Sequence, residues 1–172
     1  MDKDTDTSGL LLFSSNGDLT QQLLHPSSGT EREYEAIVTG DILNYDQLRA
    51  TLASGVATSD GTFPAEVLEA RPATPEEVNE VERLPLNPSP LSSIKSPELG
   101  RSFSYVRLTV TEGKHRMVRR ILHNCGHSVV KLHRNRYGNI SLNECGADEV
   151  LMGGSIRRCS ELEINWAKKF MK

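Results

Sequence analysis

Apolar positions along this chain recur at two spacings, and the switch between them marks out its elements. Residues 9–13, Gly-Leu-Leu-Leu-Phe, form an unbroken apolar run that reads as a buried strand. Asn16 and Gly17 then open a short helix through Leu24, with Leu19 and Leu23 one turn apart, and Pro26 closes it. Residues 32–39 alternate as a strand does, with Tyr34, Ala36 and Val38 on one face. Asn44 can cap a helix running to about Ala53, because Gln47 stands at the capping-box position and Leu48 and Leu52 share a face. A turn at Ser59-Asp60-Gly61 leads into a strand around 64–71. Thr74-Pro75-Glu76-Glu77 is a helix start, with a capping hydroxyl, proline in the first turn and an acid three residues after the cap.

Residues 84–101 break the pattern. They are rich in Pro and Ser, carry no period, and read as a flexible surface insertion. Alternation resumes at 103, where Val106, Leu108 and Val110 point one way and Tyr105, Arg107 and Thr109 the other. A helix is expected over about 114–124, stopped by Gly126. Met117, Val118, Ile121 and Leu122 would cover one side, and Arg116, Arg119, Arg120 and His123 the other. Residues 128–134 read as a strand and 137–139 as a turn, while 155–172 show no period clear enough to assign. Strict alternation of strand and helix would favour a parallel sheet. Short, alternating strands instead fit one-sided burial in a mixed or antiparallel sheet, so the expected class is α+β.

Composition alters this picture in one place. The net charge is −3, yet Gly113 to Asn143 holds seven cations and no acid: Lys114, Arg116, Arg119, Arg120, Lys131, Arg134 and Arg136. The remainder is near −10 by subtraction. A cationic stretch on an acidic chain points to a local polyanion site, and its plainer reading is a solvated charged face. No apolar run approaches the roughly 18 residues of a membrane span, and no secretory signal pattern opens the chain. Cys125, Cys145 and Cys159 lack metal-type spacing and read as reduced thiols of an intracellular protein. His123 and His127 lie four apart, but Gly126 ends the helix between them, so no metal is expected.

Asp2, Asp4 and Asp6 alternate at the start, as acids on a solvated terminus do. The residues after Asp4 change that reading. Asp4-Thr5-Asp6-Thr7-Ser8-Gly9 and its apolar continuation resemble the aspartate motif of RsuA-like RNA pseudouridine synthases. The similarity continues through Phe13 to Leu19, Leu23 to Pro26, Glu33-Tyr34, Gly55-Val56 and Asp60-Gly61. After the insertion, Glu112 to Arg120 is similar to that family's basic motif, and Gly126 to Arg134 with Tyr137-Gly138 to its last motif. The resemblance spans nearly all of the chain except 84–101 and the final dozen residues.

That resemblance implies a mixed, mainly antiparallel sheet with flanking helices, here without its N-terminal strands. Residues 1–172 would be one partial catalytic domain. It implies Asp4 as the nucleophile, attacking either ribose or base while a uridine is cleaved, turned and rejoined through C5. Arg119 would pair with that aspartate, keeping it ionised and aimed, or else meet a phosphate. Tyr34 would lie beside the target base, and its plainer role is core packing. Leu132 would line the pocket, though a buried strand leucine looks the same. Lys114, Arg116, Arg120, Lys131 and Arg134 would bind RNA, chiefly through phosphates. No cofactor is implied. The expected partner is RNA, ribosomal first and transfer RNA second, with the protein a monomer in cytoplasm or in an organelle that holds ribosomes. The family usually places Gly-Arg-Leu before the aspartate, where this chain has Met1-Asp2-Lys3, so a catalytically impaired RNA-binding fragment is the alternative expectation.

Overall fold

The computed structural model describes residues 7–83, 102–142 and 153–171. The 84–101 insertion, Asp4 and Cys145 lie outside these residues. The main sheet is built from β1 (Thr7–Gly9), β2 (Arg32–Thr39), β5 (Glu66–Pro72), β6 (Phe103–Val110) and β7 (Val129–Tyr137), in the order β1-β7-β2-β6-β5. The short β8 (Ile140–Ser141) also pairs with β7, and β3 (Val56–Thr58) and β4 (Gly61–Phe63) form a separate hairpin. Among the described residues, every pairing is antiparallel except β1 with β7. The helices are α1 (Gly17–Leu24), α2 (Tyr45–Ser54), α3 (Pro75–Arg83), α4 (Met117–Asn124) and α5 (Glu161–Lys168). The expected α+β class with a mainly antiparallel sheet is therefore the one observed.

The two faces of the sheet have separate cores. Ala36, Val38, Val106, Leu108 and Leu132 face front, against Leu48 and Leu52 of α2 and Ile121 and Leu122 of α4. Ile37, Phe103, Tyr105 and Val130 face back, beneath Val81 of α3. A third cluster joins Leu10, Tyr137 and Ile140 to Leu23 of α1 and Trp166 of α5. Leu122 is fully buried, and its truncation to Ala should cost about 2–5 kcal/mol. Caps fix the helix ends. The Asn44 side chain accepts from Gln47 N at 2.9 Å, and Glu77 Oε2 accepts from Thr74 N at 2.8 Å while Thr74 Oγ1 accepts from Glu77 N at 3.3 Å.

Several local details differ from, or add to, what the sequence leads one to expect. The strand expected at 9–13 is instead a three-residue, exposed strand ending at Gly9. The Leu10 carbonyl accepts from Arg134 Nε and Nη2 at 2.8 and 2.6 Å, so a side chain ends the ladder, leaving Leu11 and Phe13 exposed. Helix α4 starts at Met117 rather than 114, because Arg116 adopts a left-handed backbone at φ 52°. β7 runs on to Tyr137 by a bulge, with Glu33 opposite Arg136 and Tyr34 opposite Arg134, so that Asn135 is the extra residue. The turn at 59–61 is the tip of the β3–β4 hairpin, and the tail without a clear period holds α5. Ser160 and Glu163 cap α5 reciprocally, a Ser-x-x-Glu signal present in the sequence.

Candidate functional site: a cleft between β1 and the entrance of α4

A cleft of about 670 Å³ opens on the front side, where β1 meets the loop that leads into α4. Its wall runs from Thr7 to Leu11 on one side and from Glu112 to Arg119 on the other, with Tyr34, Leu132 and Arg134 contributed by β2 and β7. Sheet topology explains the meeting. β1 lies parallel to β7 with Thr7 opposite Leu132, and β7 in turn carries Arg134 opposite Tyr34.

Arg119 joins the two walls. Sequence periodicity puts it on the solvated side of α4, but it is only 8% exposed. Its Nη2 donates to Thr7 Oγ1 at 2.8 Å and its Nη1 to the Val129 carbonyl at 3.1 Å. The fork of the guanidinium thus ties α4 to β1 and to the start of β7 at once. Thr7 belongs to the motif that begins at Asp4, and Gly9 completes it for a steric reason. Gly9 has φ 108°, and a Cβ there would lie 2.5 Å from the backbone nitrogen of Arg134. Only glycine lets β1 approach β7 so closely.

The loop from Thr111 to Arg116 is held at its near end by Arg32. This arginine is 2% exposed, and its Nη1 donates to the Thr111 carbonyl at 2.7 Å and to the Thr30 carbonyl at 3.0 Å. Its Nη2 donates to Tyr137 Oη at 3.2 Å, and its guanidinium lies 5.0 Å from the Tyr137 ring centroid. A Cβ on Gly113 would come within 3.2 Å of that guanidinium, so the loop passes close over it. Arg116 at the loop's far end is the one non-glycine residue of positive φ among the described residues. Such strain persists only where the surroundings enforce it, and it collects at functional sites.

The structure brings Tyr34, Lys114, Arg116, Arg119, Leu132 and Arg134 to this cleft. Tyr34 is half-buried and packs against the front core, so it keeps one side in the cleft. Arg134 is already engaged by the Leu10 carbonyl. Lys114 and Arg116 are exposed at the mouth. Arg120 and Lys131 stand elsewhere. Arg120 Nη1 meets Asp60 Oδ2 at 2.7 Å, and Lys131 Nζ meets Glu80 Oε1 at 2.6 Å on the back of the sheet. Asp4 lies outside the described residues. Sequence reasoning misses Arg32, whose signal is a cation at a core-facing strand position, two before Tyr34. It also misses what Thr7 does within the motif.

Other places are less suited to chemistry. A second concavity of about 720 Å³ lies along β5 and holds none of the sequence-derived candidates. Among the described residues no group of three His, Cys, Asp or Glu side chains converges for a metal. His123 Nδ1 contacts Ser128 Oγ at 3.0 Å and His127 Nδ1 contacts the Thr39 carbonyl at 3.3 Å, so each ring is engaged by its own neighbour. No described helix is long and apolar enough to cross a membrane. His133 sits behind β1, its Nδ1 2.8 Å from Ser8 Oγ, and burial holds its pKa below the ordinary value, which keeps the ring neutral at pH 7.

Comparison with known proteins identifies the family. The family model described as RNA pseudouridylate synthase matches residues 3–124. A protein of Aquifex aeolicus (strain VF5) named "Uncharacterized RNA pseudouridine synthase" is 28% identical over 169 residues, 98% of this chain and 55% of that protein. The ribosomal large subunit pseudouridine synthase B of Pasteurella multocida (strain Pm70) is 34% identical over 139 residues, 81% of this chain and 32% of that protein. A crystal structure of a pseudouridylate synthase superposes with a TM-score of 0.60 at 21% identity, over 92% of this chain and 54% of that one. The chain thus spans between about a third and about half the length of these relatives.

Proposed function

The chain belongs to the RNA pseudouridylate synthase family, and on that premise we propose that its cleft receives a uridine of RNA and converts it to pseudouridine, with Asp4 as nucleophile. The observation that carries this reading is the Arg119–Thr7 hydrogen bond at 2.8 Å. Asp4 is three residues before Thr7, so extended chain can separate them by no more than about 11 Å. A span that short allows the Asp4 carboxylate to meet the guanidinium that anchors Thr7. A fixed cation beside a carboxylate keeps it ionised, which a nucleophile requires.

The reaction is an isomerisation. The bond from C1′ to N1 breaks, the base turns, the bond from C1′ to C5 forms, the C5 proton leaves and N1 gains one. No oxidant or cofactor is needed for that balance. Tyr34 offers a ring face to the uracil and a hydroxyl near its edge, while Leu132 supplies an apolar wall. Lys114 and Arg116 meet phosphates at the mouth. Arg134 shapes the wall through the Leu10 carbonyl. Arg120 and Lys131 are left out of the RNA-binding set, since Asp60 and Glu80 hold their charges. Relatives named for the ribosomal large subunit favour ribosomal RNA as the substrate.

The test is release of tritium from RNA labelled at uracil C5. The chain should release it, and Asp4→Asn should not, while still binding the RNA. Binding without release by the unaltered chain would select an RNA-binding role instead. Equal release by Asp4→Asn would remove Asp4 from the mechanism.

A further inference from the structure

Arg120 is a cation of the basic motif, yet it does not line the cleft. Its Nη1 meets Asp60 Oδ2 at 2.7 Å and donates to Ser59 Oγ at 3.1 Å, both at the tip of the β3–β4 hairpin. Its Nη2 donates to the His115 carbonyl at 2.5 Å, within the loop that forms the cleft's mouth. One guanidinium therefore bridges the hairpin tip and the basic loop. The hairpin is a firm support. Thr58 Oγ1 accepts from Asp60 N at 3.3 Å and donates to the Gly61 carbonyl at 3.0 Å, closing the tip. Ser59 Oγ lies 3.1 Å from Asp60 Oδ1 and orients the carboxylate. Asn124 Nδ2 donates to the Ala57 carbonyl at 2.7 Å, fastening the hairpin to the far end of α4.

The loop is thus gripped at both ends, by Arg32 at Thr111 and by Arg120 at His115. Between them stands Lys114, and next to His115 is Arg116 with its strained backbone. Left-handed geometry at an arginine needs outside enforcement, and the Arg120 bridge is placed to supply it. Hydrogen bonds from Arg120, then Ser59, hold the Asp60 carboxyl below the usual carboxylate range, so the bridge stays charged at neutral pH.

We propose that Asp60 is a positioning residue: through Arg120 it holds the loop over 112–116 in the shape that presents Lys114 and Arg116 to RNA. This rests on the reading of the cleft as an RNA site. Charge alone gives the opposite expectation, because removing an acid beside a basic mouth should tighten a polyanion. The sign of the effect therefore separates positioning from simple electrostatics.

The experiment compares the unaltered chain with Asp60→Asn and Asp60→Glu. Binding of a uridine-containing RNA hairpin is read alongside the rate of trypsin cleavage after Lys114 and Arg116. Asp60→Asn should weaken binding several-fold and speed those two cleavages, with little change in melting temperature, and Asp60→Glu should restore much of both. Tighter or unchanged binding with unchanged cleavage overturns the proposal. So does cleavage that rises equally after Arg49 and Arg107, which would show a general loss of stability. If the unaltered chain binds no RNA, the function proposed for the cleft fails, while the cleavage pattern still decides whether Asp60 holds the loop.

Discussion

The two faces of the β7 region set the same kind of residue in different surroundings. On the back, cations are held by acids. Arg136 pairs with Glu31 at 2.9 Å and Glu33 at 3.1 Å, Lys131 with Glu80 at 2.6 Å, and Arg71 with Glu77 at 2.8 Å. On the front, Arg119 is turned into a cleft beside Thr7, with Lys114 and Arg116 at its mouth. Yet Lys131 and Arg136 belong to the same acid-free stretch as the front set. The lesson is that a charge run along the chain says little about which charges gather at the cleft, because acids can return from distant strands. Glu33 and Arg136 are 103 residues apart in sequence and hydrogen-bonded in space.

The sharpest way to break this contrast is to remove one arginine from each face. Arg119→Ala should lower tritium release at least about 100-fold, since small misplacements at a reacting centre cost that much. Arg136→Ala should leave release near normal, because its partners Glu31 and Glu33 lie away from the cleft. Comparable losses from both would erase the distinction between faces.

A steric change tests how closely β1 must approach. Gly9→Ala introduces a Cβ against the Arg134 backbone at φ 108°, which should destabilise the chain by about 1–3 kcal/mol or detach β1. Denaturant unfolding measures the first outcome and loss of RNA turnover the second. A silent Gly9→Ala would mean that β1 is not seated as described.

A smaller effect is expected on the back. Glu77 is held below the usual carboxylate range by its hydrogen bonds to Arg71, and its side chain is 23% exposed. Its folded pKa is depressed, so its stabilisation is present above the unfolded value near 4.5 and is lost as pH falls through the folded value. Glu77→Gln should cost about 1 kcal/mol at pH 7, the scale of a partly exposed pair with a helix cap. That difference should shrink as pH falls below about 4.5 and leave RNA affinity unchanged. A difference that persists in acid would mean the carboxylate charge contributes nothing.

Much of the fold is legible because its signals are local. β2 occupies Arg32–Thr39 as its alternation indicates, and Asn44 caps α2 as its spacing indicates. Leu48, Leu52, Ile121 and Leu122 are buried where periodicity puts them. Features that escape are non-local or too short. Strands of three residues, as in β1, β3 and β4, give too few alternations to read. Nothing along the chain announces the left-handed Arg116, since tertiary packing enforces it. In the cleft, Tyr34, Leu132 and Arg119 are legible only through motif resemblance, because a core tyrosine, a core leucine and a surface arginine share their local patterns. Arg120 reads along the chain as an RNA contact because its partner Asp60 is 60 residues away.

The most direct measurement is the salt dependence of RNA binding in two double variants. Lys114→Ala with Arg116→Ala removes charge at the mouth, while Lys131→Ala with Arg136→Ala removes as much from the back. The slope of log affinity against log salt should flatten by about 1 for each cation withdrawn from a phosphate. The front variant is expected to flatten it by about 2, and the back variant to leave it unchanged. A back variant that flattens the slope as much as the front one, or more, would contradict the division of charge between the two faces and the placing of RNA in the cleft.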